Sequence, residues 1–180
     1  MKKLVTVISS PHKDGPSTQL VHEVARGAVE KGYEVVEYRL NDIDLKPCQA
    51  CEHCKKNGVD CIQDDGLKNY WKDLHEADAL IVSSPVYCGL VNGPFISYMN
   101  RHFCLLWEKG CRLHPGVKLV GCFSQGRPKL DYYMPHFKQI LADFENRDMV
   151  TQGILVQSPE MSEKARVALY KKAYALGKSL

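Results

Sequence analysis

The 180-residue sequence predicts an α/β fold: an open, doubly wound, five-stranded parallel sheet with helices on both faces. Three observations carry that expectation. Five short apolar runs, rich in Val, Ile and Leu, alternate with five stretches of helical periodicity. The first forty residues have the strand–loop–helix–strand length that a crossover unit needs. No internal repeat, low-complexity tract or linker divides the chain, so residues 1–180 read as a single domain. The alternation is interrupted once, by a cysteine-rich insertion at 41–65.

Residues 4–8 form a β-branched run that reads as the first buried strand, followed by a turn-rich loop over 9–17. Leu20, Val21, Val24, Ala25, Ala28 and Val29 then share one helical face, which stops at Lys31-Gly32. Residues 35–40 are the second strand. Beyond the insertion, Asp64-Asp65 offers N-capping carboxylates for a helix through Leu67, Tyr70, Trp71 and Leu74. Residues 79–83 are the third strand and run into a glycine-bearing loop over 84–93. Pro94 suits the first turn of a helix that continues through Leu106. A connector over 108–116 leads to the fourth strand at 118–123. A helix over 134–144, a strand over 150–156 and a last helix over 162–178 complete the pattern.

Composition excludes more than it selects. Hydrophobic residues make up 44% of the chain, enough for a real core, and the net charge is only +3. There is no basic stripe with interleaved aromatics, so nucleic acid is not a partner on this reading. The apolar start at 4–8 is too short for a signal peptide and no run approaches a membrane span. The expectation is a soluble cytoplasmic protein. In that reducing compartment clustered cysteines are metal ligands or redox groups rather than structural disulfides.

In such sheets ligands bind beyond the carboxyl ends of the strands. The loop over 9–18 carries hydroxyls at Ser9, Ser10, Ser17 and Thr18 ahead of a helix N-terminus, an arrangement suited to a phosphate. The chain has neither G-x-x-x-x-G-K-[ST] nor G-x-G-x-x-G, which argues against a nucleoside triphosphate or a dedicated dinucleotide site and leaves a monophosphate. Two further loops, 84–92 with Ser84, Pro85, Val86 and Tyr87, and 124–126 with Gln125 and Gly126, have the backbone freedom to grip a flat ring system.

Cys48, Cys51, Cys54 and Cys61 follow C-x2-C-x2-C-x6-C, half of the chain's eight cysteines in one loop. Bacterial ferredoxins begin the same way, but their fourth cysteine serves another cluster; with no second quartet here, all four thiolates fit one [4Fe–4S] cluster. Zinc sites more often use two separated C-x2-C pairs, so a cluster is favoured over zinc, and a thioredoxin-like role for one pair would leave the other two cysteines unexplained. Lys55 and Lys56 lie near enough in sequence to offset a cluster's negative charge. Cys104 and Cys122 read as core, Cys111 as a connector residue and Cys88 as a small spacer. Among the histidines only His12 has a positional reason to function; His53, His102, His114 and His136 read as surface or interface residues, and Trp71 and Trp107 as packing.

The segment from Ser9 to Thr18, Pro47-Cys48-x-x-Cys51, Ala77-Asp78-Ala79, Ser83-Ser84-Pro85-Val86-Tyr87 and Asn100-Arg101 together resemble the flavodoxin-like NADPH-dependent FMN reductase family over about residues 4–130. Within it the cysteine loop resembles the iron–sulfur flavoprotein branch. The resemblance implies FMN at the switch point of the sheet, with Ser10, His12, Ser17 and Thr18 at the phosphate. Pro85, Val86 and Tyr87 would line the isoalloxazine, with Gln125 and Gly126 at its pyrimidine edge. His12 departs from the arginine often found there, and the glycine pair usual near 124–126 is missing. The implied function is an electron-transfer flavoprotein that exchanges electrons between a ferredoxin-type carrier and a small acceptor, assembled as a homodimer or homotetramer. Two alternatives stand beside it: an NAD(P)H-dependent FMN or quinone reductase without a cluster, and a zinc-binding module on the same fold. None requires a side-chain acid or base, so no catalytic residue is named.

Overall fold

The computed structural model describes all 180 residues. In chain order they form β1 (Lys2–Ile8), α1 (Pro16–Val29), β2 (Tyr33–Arg39), α2 (His53–Asn57), α3 (Tyr70–His75), β3 (Ala79–Tyr87), β4 (Leu90–Val91) and α4 (Gly93–Arg101). A 3₁₀ turn (His102–Leu105) follows, then β5 (Leu106–Trp107), β6 (Gly110–Cys111), β7 (Val117–Ser124), α5 (Met134–Glu145), β8 (Met149–Gln157) and α6 (Glu163–Lys178). The five principal strands are parallel, in the order β2-β1-β3-β7-β8. That is the flavodoxin-like order, in which the chain reverses its direction of winding between β1 and β3. No helix is long and apolar enough to cross a membrane.

Each principal strand feeds two cores, because successive side chains point to opposite faces. Val5 and Val7 of β1, Leu80 and Val82 of β3 and Leu119 and Phe123 of β7 pack with α3, α4 and α5. Leu4, Ile8, Ala79, Ile81, Val120 and Cys122 pack with α1 and α6. A strand buried on both sides needs apolar residues at consecutive positions, which explains the unbroken runs in the sequence. The α1–α6 crossing depends on glycine. A Cβ at Gly27 would stand 2.1 Å from the Tyr174 carbonyl oxygen, and one at Gly177 would stand 1.9 Å from that of Val24.

Three expectations need correction. The helix anticipated after Asp64-Asp65 begins only at Tyr70, with no side-chain cap; Asp65 instead bonds the Leu67 backbone N–H and turns to a buried partner. The helix from Pro94 ends at Arg101 rather than reaching Leu106. His102, Cys104 and Leu105 all have to face inward, which a tighter 3₁₀ turn achieves before the chain enters β5. His102 itself is not a surface residue but fully buried. Its ring accepts or donates a 2.9 Å bond with the Tyr70 hydroxyl and stacks on that ring. Burial, with Arg147 nearby, holds it well below the usual imidazole range. The hairpins β3–β4 and β5–β6 carry no signal that was recognised in the sequence.

Candidate functional site

A cleft of about 640 Å3 opens beyond the carboxyl ends of β1, β3, β7 and β8, within the size range of small-molecule sites. Its first wall is the loop after β1. Ser10 and His12 line the cleft, and the loop is tied by His12 N–H donating to Ser10 Oγ at 3.2 Å and Thr18 Oγ1 donating to the His12 carbonyl at 3.2 Å. Gly15 leads into α1 with no side-chain cap, and no acidic residue occupies the first turn. First-turn amides have no intrahelical partner, so this helix end is an anion-binding position. The Ser17 hydroxyl beside it is buried and has no partner in the protein. Ser9 is turned into the fold: its Oγ donates to the Ser83 carbonyl at 2.8 Å.

The second wall is the end of β3. Pro85, Val86 and Tyr87 line the cleft, Tyr87 half-exposed at its rim. The chain turns back through Cys88 and Gly89, both at positive φ (51° and 88°), so β3 and β4 form a tight hairpin. Cys88 is therefore an exposed turn residue. Ser84 lies underneath, its Oγ donating to the Pro85 carbonyl at 2.8 Å and accepting from Asn92 N–H at 3.1 Å. Asn92 joins these parts. Its side chain donates to the Ser9 carbonyl at 2.6 Å and accepts from Phe95 N–H at 3.3 Å, capping α4.

Ser124, Gln125 and Gly126 form the third wall. Gln125 Nε2 donates to the Arg127 and Lys129 carbonyls at 2.9 and 2.7 Å, while its Oε1 is buried without a partner. The fourth wall was not anticipated. Gln157, Ser158, Pro159 and Met161, after β8, and Arg166 on α6 line the same cleft. Gln157 Oε1 is a second unpartnered buried acceptor. No Asp or Glu lines the cleft, whose basic residues are His12 and Arg166. An uncapped helix end, an orphaned serine hydroxyl and two orphaned carboxamide oxygens suit a ligand with an anionic end and a polar, hydrogen-bonding ring edge.

The second candidate site is the cysteine loop, on the β2 side of the sheet. Cys48, Cys51, Cys54 and Cys61 all line one small cavity, together with Ile62, Phe103, Cys104 and Arg101. The four thiols share this cavity, but no three His, Cys, Asp or Glu side chains are arranged to hold a metal ion. Ala50 and Glu52 adopt left-handed φ of 50° and 56°, a conformation that costs a non-glycine residue roughly 1–2 kcal/mol. These reversals between successive cysteines turn three side chains toward the same cavity. The soft thiol set is one that suits iron–sulfur clusters or zinc.

The loop is anchored closely. Gly66 N–H donates to the Asp44 carbonyl at 2.8 Å, and a Cβ on Gly66 would fall 2.4 Å from that of Ile43. Trp107 packs on Gly58 and its Nε1 donates to the Lys55 carbonyl at 2.8 Å. Lys55 bonds the Leu106 carbonyl, lies 3.8 Å from the centre of the Phe103 ring that lines the cavity, and its charge opposes the rise that burial imposes on the Cys54 pKa. The cation that touches a cysteine is Arg101, whose Nε donates to Cys61 Sγ at 3.2 Å. The Arg101 side chain is fully buried and paired with the equally buried side chain of Asp65. Burial alone would lower its pKa, but Asp65 and Cys61 outweigh that and raise it. Cys104 is a fifth thiol at the cavity, pushed up to about 12 by burial although the Cys61 backbone N–H pulls the other way. His53 is exposed on α2.

Against known proteins, the family model for NADPH-dependent FMN reductases matches residues 2–142. An iron–sulfur flavoprotein of Methanocaldococcus jannaschii is 36% identical over 99 residues, 55% of this chain and 51% of the relative. One from Archaeoglobus fulgidus is 35% identical over 100 residues, 55% of this chain and 48% of that one. The chain thus spans about half the length of the curated relatives it matches. Among solved structures, an NAD(P)H:quinone oxidoreductase from Methanothermobacter marburgensis superposes with a TM-score of 0.74 at 13% identity, over 99% of this chain and 96% of the other. An azoreductase from Bacillus anthracis superposes over the whole of both chains with a TM-score of 0.77 at 14% identity. These two establish the shared fold. The family match covers most of the chain, from β1 through most of α5, and includes the cleft's first three walls and the cysteine loop: the chain belongs to the NADPH-dependent FMN reductase family.

Proposed function

We propose that the chain holds FMN in the cleft and a [4Fe–4S] cluster on Cys48, Cys51, Cys54 and Cys61, and passes electrons between a ferredoxin-type carrier and a small-molecule acceptor. The observation that carries the proposal is the convergence of all four cysteines on one cavity in a chain whose cleft opens beside an uncapped helix N-terminus. The names of the curated relatives support the same reading. Bound FMN supplies one- and two-electron chemistry and a cluster supplies one-electron chemistry, so the pair matches partners of different electron number.

The protein's own task is to bind and position. Ser10, Ser17 and the first-turn amides of α1 hold the phosphate, Thr18 ties the loop through the His12 carbonyl, and His12 and Arg166 supply positive charge. Pro85, Val86 and Tyr87 pack on the ring, and the orphaned acceptors of Gln125 and Gln157 meet its N–H edge. Ser9 and Ser84 keep the loops in place from below. Joining the two sites is α4, nine residues and about 13 Å long, which runs from Asn92 at the cleft to Arg101 at the cysteine cavity. Exposed Tyr87 and Leu90 at the rim are suited to a subunit interface in a homodimer or homotetramer.

A second reading is favoured by the family match: NAD(P)H-dependent reduction of flavin or quinone with no cluster in the loop. Anaerobic purification separates the readings. FMN with about four iron and four sulfide per chain supports the proposal. Yellow, iron-free protein that oxidises NADPH supports the second reading. Colourless protein carrying zinc overturns both.

A further inference from the structure

We infer that Arg101 is the positioning residue of the cysteine site: it fixes Cys61 and the base of the loop, and its N–H···S bond raises the reduction potential of the centre that the cysteines hold. The inference rests on the proposed iron–sulfur reading, and concerns a residue outside the cysteine motif.

Three observations carry it. First, every arm of the guanidinium is spent on the cysteine loop. Nε donates to Cys61 Sγ at 3.2 Å, Nη1 to the Lys46 carbonyl at 2.8 Å and to Asp65 Oδ2, and Nη2 to Asp65 Oδ1 at 3.3 Å. Lys46 lies two residues before Cys48, and Asp65 four residues after Cys61. One side chain therefore joins the two ends of the loop, and Asp65 closes the ring by accepting from Lys46 N–H at 3.2 Å. Second, the side chains of Arg101 and Asp65 are both fully buried. A buried ion pair is seldom retained for stability alone, since apolar residues of similar volume often serve as well or better. Third, Arg101 lines the cavity itself, beside the four cysteines.

The chemistry gives the direction. A donor pointed at a ligand sulfur stabilises the more electron-rich, reduced state of a cluster more than the oxidised state, and hydrogen bonds to sulfur are among the factors that set cluster potentials. Asp65 neutralises the guanidinium's net charge, so the effect on the cluster comes from the directed N–H rather than from a free cation. Lysine retains the charge but not the rigid fork that satisfies three partners at once.

The test uses anaerobically purified full chain in four forms: wild type, Arg101→Lys, Arg101→Gln and the neutral pair Arg101→Gln with Asp65→Asn. Iron, sulfide and FMN are counted, and the cluster potential is read by redox titration followed by electron paramagnetic resonance. The expected result is FMN at the wild-type level in all four, with the iron-loaded variants titrating at a lower potential than wild type. Loss of iron from Arg101→Gln while FMN is retained equally supports the clamp. The inference is overturned by variants that hold iron at an unchanged potential, whatever their melting temperature, since a merely structural arginine would lower stability and leave the potential alone. It is also overturned by variants that lose FMN and iron together. Wild-type protein with no iron and sulfide overturns the iron–sulfur reading itself, a result distinct from the other two.

Discussion

Asp64 and Asp65 are neighbours in sequence with opposite surroundings, and they supply an internally controlled test of the packing described above. Asp64 pairs with Lys68 at 2.8 Å, with side chains 82% and 72% exposed. Asp65 pairs with Arg101, both at 0%, and also accepts from the Leu67 and Lys46 backbone N–H groups. Asp65→Asn preserves shape but leaves a buried guanidinium without its counter-charge. Breaking one side of a buried pair costs roughly 3–5 kcal/mol. At roughly 2–4 °C per kcal/mol for a chain of this size, the melting temperature should fall by roughly 6–20 °C. Asp64→Asn should unfold at the same urea midpoint as wild type, because exposed pairs contribute little. Urea denaturation of both variants gives the comparison. Burial alone would raise the Asp65 pKa, but Arg101 and the two N–H donors lower it below its usual 3.8. A depressed carboxylate stabilises the fold above the unfolded pKa and loses that contribution as pH falls through the folded value. The gap between wild type and Asp65→Asn should therefore narrow below about pH 4. A cost under about 1 kcal/mol for Asp65→Asn, or equal costs for the two variants, would refute the buried-clamp geometry.

Gly177→Ala should destabilise by about 1–3 kcal/mol despite alanine's better helix propensity, since its Cβ would meet the Val24 carbonyl; a neutral or stabilised variant in thermal denaturation shows that α1 and α6 do not cross this closely. His102 is held neutral by burial, so its folded pKa lies below the unfolded one, and wild-type stability should fall as pH drops below about 6.5, by up to about 1.4 kcal/mol per unit. His102→Phe should remove that part of the slope in urea midpoints measured from pH 7.5 to 5, and an unchanged slope places the titration elsewhere. Arg166→Gln should weaken FMN binding about tenfold while leaving riboflavin binding unchanged in fluorescence titrations, about 1.4 kcal/mol for a lost charged contact to phosphate. Equal losses for the two flavins would place Arg166 away from the phosphate.

Much of the fold was legible because parallel strands buried on both faces leave continuous apolar runs, and helices packed on one side leave a 3.6-residue period. The strands at 4–8, 79–83 and 118–123 are where these rules operate most strongly, with both faces covered. The short hairpins were hidden, since β4 and β5 are two residues each and give no periodicity. Charge proximity in sequence points to Lys55, which does act on Cys54, but not to Arg101, whose Nε donates to Cys61. A buried arginine reads from the sequence as one more polar residue at a helix end; its partners, Lys46, Cys61 and Asp65, lie 36–55 positions away. His102 was misread for the same reason, because its burial is set by Tyr70 and Phe144 on other helices. The fourth wall of the cleft could have been found by topology alone. Every loop leaving a parallel strand opens on the same edge, so Gln157 and Ser158 qualified without a motif. Asn92 carried its own signal, an N-capping asparagine directly ahead of Gly93-Pro94.

The central claim is that one chain carries two electron-accepting centres in sites joined by α4. Anaerobic reductive titration of the purified protein, normalised to chain concentration, tests it most directly. FMN takes up two electrons and a [4Fe–4S] cluster one, so the account predicts uptake of about three electrons per chain, falling to about two in Cys51→Ala with its FMN retained. Wild-type uptake of about two electrons, unchanged by Cys51→Ala, would contradict it.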